Sequence, residues 1–298
     1  MKYGKWRRFR PRFTRRKVVI AMPGNGEDTF SAAWKIVATA TRDFDVRRND
    51  IGQLAKAIES LKERNETTAA YFVALLLLQT PRAAWAQHQM DKHRGGYRNR
   101  HDRLYELIDY NDTFVSSVLA LERHELASFV EKLRRASHEF CRQVHAPNFS
   151  DEQYQAIVRG LSREIAIYLT ANRLGYRAQM SSRQDDAFGI DMVLANDAGV
   201  KINIDCKTPS AFRHRLEDLL HERRIGEQEL LEADERDYLI HIHRRDGTHS
   251  EKIPVVLLCV RPERMGDVVN FELERPEALR LLLDDIAKEL QKYVTRTK

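Results

Sequence analysis

Gly189-Ile190-Asp191-Met192-Val193-Leu194, then Asn196-Asp197-Ala198-Gly199, then Lys201-Ile202-Asn203-Ile204-Asp205-Cys206-Lys207, is the stretch that decides how this chain folds. Strand side chains alternate between faces, so Ile190, Met192 and Leu194 share one side and Asp191 takes the other. In the second run Ile202, Ile204 and Cys206 share a face, while Asp205 and Lys207 occupy the opposite one. The polar segment between the runs has turn chemistry that folds the second strand back antiparallel to the first. That pairing predicts Asp191 near Asp205. Two carboxylates in a half-buried sheet repel each other, and a divalent cation neutralises them most simply. Hard oxygen ligands favour magnesium, with manganese as a substitute, over zinc.

A third carboxylate is sought on the preceding helix. Ser150 followed by Asp151-Glu152-Gln153 reads as an N-cap with a capping box. The helix then carries Tyr154, Ile157, Leu161, Ile165, Tyr168 and Leu169 at the spacing of a buried stripe and stops near Leu174-Gly175. Glu164 falls on that core-facing side, where a carboxylate needs a partner. A salt bridge with Arg163 or Arg173 is one such partner, and a metal shell is the other.

Downstream, strands are expected over 176–181, 188–195, 200–207, 236–243 and 254–260, with one helix over 210–233 between the third and fourth. Set in this order, the second half of the chain resembles the αβββαβ core of the PD-(D/E)XK nuclease superfamily, the restriction-endonuclease-like fold. Asp185-Asp186-Ala187-Phe188-Gly189-Ile190-Asp191 with Asp205-Cys206-Lys207 is most similar to its Mrr-like members. The resemblance implies a magnesium-dependent endonuclease with Asp191, Asp205 and Glu164 around the metal and Lys207 as the catalytic lysine. It also favours DNA over RNA and makes a homodimer an expectation. Ile190 stands where the name-giving proline would be, and Cys206 fills the tolerant middle position of the motif.

The remaining residues are read against this core. The formal net charge of +6 is misleading, because residues 2 to 17 hold nine Lys or Arg and no acid, which leaves −3 for the rest. Within this arm Lys5, Arg7, Arg8, Arg10, Arg12, Arg15 and Arg16 alternate with Trp6, Phe9 and Phe13, a composition suited to phosphate contact and base stacking. An Arg-rich, acid-free start also resembles an organelle transit peptide. A second basic segment contains Arg94, Arg98 and Arg100 beside Gly95, Gly96 and Tyr97, and reads as a further nucleic-acid contact or a solvated loop.

Helices are expected over 29–41, 50–64, 67–79, 81–92, 103–110, 114–120 and 125–144, with a break at Pro81. The whole chain is therefore expected to be α+β or α/β, with an arm at 1–28, a helical domain at 29–148 and a nuclease-like domain at 149–298. The apolar run Ala69 to Leu78 is too short to span a bilayer and reads as a buried helix. Gly24-Asn25-Gly26 lacks the Gly-Lys-Ser/Thr of a phosphate loop. His241 and His243 share a strand face without a third zinc ligand at the usual spacing. Three scattered cysteines suit a reduced, cytoplasmic protein. Two other functions compete: an inactive nuclease fold that binds nucleic acid or serves assembly, and a helical interaction protein in which Asp191 and Asp205 lie far apart.

Overall fold

A computed structural model describes residues 28–44, 51–92, 101–181, 185, 189–245 and 251–296. The chain is a mixed α/β molecule whose described residues contain ten helices and a five-stranded mixed sheet. The arm residues Lys5, Arg7, Arg8, Arg10, Arg12, Arg15 and Arg16 lie outside the described residues, as do Arg94, Arg98 and Arg100.

Five helices come first: α1 (Thr29–Ala40), α2 (Ile51–Lys62), α3 (Ala69–Asp91), α4 (His101–Ala120) and α5 (Arg123–Gln143). Asp28 caps α1 by accepting from the Ser31 amide at 3.0 Å, and Thr68 caps α3 through the Tyr71 amide. Helix α3 is the hub, packed by α1, α2, α4 and α5. Leu76, Leu77 and Leu78 are fully buried, which suits a helix apolar on every side. The expected break at Pro81 does not occur. Proline removes the amide that would bond the Leu77 carbonyl, yet packing on all sides holds the helix through it. One residue earlier, the Thr80 hydroxyl donates to the Leu76 carbonyl at 2.7 Å. Likewise the two short helices expected at 103–110 and 114–120 are one, because Asn111 and Asp112 stay near the helix surface while Tyr110 and Phe114 are buried.

Helix α6 (Asp151–Arg173) begins with the expected capping box: Gln153 N donates to Ser150 Oγ at 3.1 Å, and Ser150 N donates to Gln153 Oε1 at 2.9 Å. It joins two cores. Tyr154, Leu161 and Ile165 pack with the five preceding helices, while Ala166, Ile167 and Ala171 pack on the sheet.

The sheet contains β1 (Arg177–Met180), β2 (Met192–Ala195), β3 (Lys201–Lys207), β4 (Tyr238–Arg245) and β5 (Glu251–Cys259), in spatial order β1-β2-β3-β5-β4. The first three form an antiparallel meander, β5 runs parallel to β3, and β4 is an antiparallel edge strand. The turn between β2 and β3 forms as its composition predicts. Asn196 Oδ1 accepts from the Val200 amide at 2.9 Å, and Gly199 takes φ +76°, a region that costs glycine little. The helix expected over 210–233 is two, α7 (Pro209–His221) and α8 (Glu227–Arg236). Arg223 at φ 56° ends the first, and Gly226 in extended geometry starts the second, so both cover the same sheet face.

After the short α9 (Pro262–Met265) comes a hairpin that the sequence pattern did not indicate, β6 (Val268–Val269) and β7 (Glu272–Leu273). Its turn residue Phe271 enters the helical core against Phe114 and Phe129. The final helix, α10 (Pro276–Arg296), covers the other face of the sheet with α6.

Candidate active site

Register brings the two acids together. Met192 pairs with Ile204, and one step further Asp191 N donates to the Ile204 carbonyl at 2.8 Å. Asp191 Oδ2 then accepts the Cys206 amide at 2.6 Å. The backbone of Asp191 is also bonded on both sides, its N–H to Ile204 and its carbonyl to the Ser181 amide at 3.1 Å, and the regular strand begins at the next residue, Met192, and not at the expected 188. Gly189 allows this entry. Its φ is +79°, and a Cβ built there would lie 3.8 Å from Asp205 Oδ2.

Asp205 is 7% exposed, and Lys207 Nζ donates to its Oδ1. The lysine's single positive charge faces two carboxylates. Burial, followed by the charge of Asp205, pushes the Asp191 carboxyl up from 3.8 to about 7, against the opposing pull of Lys207 and the Cys206 amide. Burial works against the Lys207 charge, yet Asp205, Asp191 and Glu164 together hold the ammonium above its ordinary value. Burial among these acids also pushes the Cys206 thiol well up, so it packs as an inert neutral group.

Glu164 reaches the same place from α6. It lines a cleft of about 370 Å³ with Asp191, Tyr168 and the end of β1, and its charge acts on Lys207. Of the arginines proposed as its partners, Arg163 donates to the Arg159 carbonyl and Arg173 pairs with Glu272 at 3.7 Å. Among the described residues no group of three or more His, Cys, Asp or Glu is arranged to hold a metal ion.

The donor chemistry still fits a hard cation. Magnesium commonly binds through one or two carboxylates and keeps several waters. Asp191 and Asp205 supply two such groups, and their mutual repulsion, only partly offset by Lys207, favours a counter-charge. Lysine would be the wrong neighbour for a structural zinc site built of thiolates and imidazoles. His241, considered above for zinc, is buried and lies 3.3 Å from the Arg224 guanidinium through its Nδ1.

The opposite wall of the cleft escaped the sequence reading. Asn111, Asp112, Ser116 and Leu119 come from α4, in the helical half. Their only signal was a polar pair inside an apolar helix pattern, which read as a break. The described residues include no helix long and apolar enough to cross a membrane. In comparisons with protein-family models, with curated proteins and with solved structures, the chain matches none.

Proposed function

We propose that this protein is a magnesium-dependent nuclease that hydrolyses phosphodiester bonds, with DNA as the favoured substrate, on a PD-(D/E)XK-like αβββαβ core. One observation carries this reading: Asp191, just before β2, bonds β3 on either side of Asp205, at the Ile204 carbonyl and the Cys206 amide, and Lys207 donates to Asp205 from the same strand face. The α6–β1–β2–β3 order and the parallel placement of β5 beside β3 support it.

Asp191 and Asp205 would hold the cation, which when bound lowers the pKa of water and neutralises the phosphoryl oxygen. Asp191 must shed its proton to serve as ligand. Its raised pKa therefore makes the site compete with protons near neutral pH. Lys207 stays charged and sits where it offsets negative charge developing on the phosphate. Glu164, which lines the same cleft as Asp191, would orient water approaching Asp191 or accept its proton.

The test is incubation of the full chain with plasmid, linear duplex, single-stranded DNA and RNA, with magnesium, manganese or chelator. Wild type should cut in either metal and stop in chelator. Asp205→Ala and Lys207→Ala should each lose at least a hundred-fold in rate while keeping the wild-type far-ultraviolet circular dichroism spectrum. Cutting by both variants at the wild-type rate would sink the assignment. An inactive nucleic-acid-binding or assembly role is favoured if wild type binds and never cuts; the lack of a three-ligand group among the described residues is the observation behind that alternative.

A further inference from the structure

The cleft that ends at Asp191 has a lining unlike a phosphate groove. Its described residues include no Lys, Arg or His, and three carboxylates, Asp112, Glu164 and Asp191, face it. A phosphate backbone is repelled by such walls. The other lining groups are neutral and of two kinds: apolar or aromatic faces such as Leu119 and Tyr168, and amides or hydroxyls such as Asn111 and Gln179. Leu119 is 42% exposed, so its apolar face in the cleft is open to a guest. At about 370 Å³ the space admits one small planar group.

We infer that this cleft receives one unstacked nucleobase of the substrate strand, next to the phosphate that faces Asp191 and Asp205. The inference rests on the nuclease reading for its substrate class. A base is flat, uncharged and rich in hydrogen-bonding edges, so it stacks on Tyr168 and Leu119 and presents its edge to Asn111 and Gln179. Such a base has to leave the helical stack before it enters. The preferred substrate is therefore a single strand, a frayed end or an unpaired position, and the helical half, through α4, selects it.

The experiment measures fluorescence anisotropy of the full chain in chelator, with a labelled twelve-nucleotide single strand and with the same strand made of abasic residues. Wild type should bind the base-bearing strand about ten-fold more tightly, the scale of one lost base stack. Leu119→Trp fills the cleft, and Gln179→Glu adds a charge at the exposed strand edge. Each should erase that margin; Leu119→Trp should leave affinity for the abasic strand unchanged, and Gln179→Glu, which adds a charge, should weaken both strands but the base-bearing one more. Equal binding of the two strands by wild type, or an unchanged margin in both folded variants, overturns the inference. Magnesium-dependent cutting, scored on the same preparations, decides the nuclease reading separately. A base margin without cutting keeps the cleft and removes the nuclease; cutting without a margin does the reverse.

Discussion

At the scale of single residues, Asp191 carries a cost in stability. Its carboxyl is pushed up to about 7 by burial and by Asp205, from 3.8 in an ordinary aspartate. Between those two values the native state holds a proton that the unfolded chain has released. The metal-free protein therefore loses stability as pH rises through this window, and the loss is complete above about 7. Asp191→Asn removes the charge and keeps an oxygen that accepts the Cys206 amide. In chelator at pH 8 this variant should be more stable than wild type by at least about 1 kcal/mol, the value of roughly one unit of pKa difference. At pH 4 the two should melt alike. Adding magnesium should raise the melting temperature of wild type and not of the variant, since a ligand stabilises only the state that binds it. Thermal melts at the two pH values, with and without metal, check this; a variant less stable at pH 8 would contradict the buried-charge account.

Among the elements, the hairpin of β6 and β7 is where the sequence pattern fell silent. A two-residue turn between Val269 and Glu272 places both Asn270 and Phe271 at positive φ, 50° and 63°. That geometry prefers Asn-Gly, and a phenylalanine there is strained. The strain is held by burial, for Phe271 is 3% exposed and packs edge-on to Phe114 at 6.1 Å. Phe271→Ala should cost about 3 kcal/mol, the usual range for an aromatic truncated in a core. Phe271→Gly should cost no more than Phe271→Ala although it removes a further methyl, because glycine relieves the backbone; urea denaturation of both variants gives the comparison. The contrast with the decisive stretch is physical. Period-two alternation and a turn bearing Asn196 and Gly199 made β2, β3 and their acids legible in the sequence, and the Ser150 capping box made the start of α6 legible too. Those signals are local. Phe271, the passage of α3 through Pro81 and the α4 wall of the cleft depend on what packs against them from elsewhere in the chain, and no local pattern encodes that.

For the molecule as a whole, α6 is the part that makes two cores one structure, and the site sits where they meet. Glu164 lies between Leu161 and Ile165, which face the helices, and Ala166 and Ile167, which face the sheet. A division of the chain at 148 therefore cuts through shared packing. Phe149, Tyr154, Leu161, Ile165 and Phe271 belong by sequence to the C-terminal part and by contact to the helical core. Leaving a buried apolar side chain in water costs about 1.5–3 kcal/mol each. For these residues together that is on the order of 10 kcal/mol, comparable with the roughly 5–15 kcal/mol that holds a typical domain folded. A fragment of residues 149–298 should therefore fail to hold a cooperative fold, and the full chain should unfold in one transition seen alike by circular dichroism and tryptophan fluorescence. Supplying residues 28–148 as a separate chain should restore the fragment's melting transition and, with it, the α4 wall opposite Asp191. A fragment that melts cooperatively within a few degrees of the full chain would show that the sheet stands alone and that the helical half is an appendage to the site and not a wall of it.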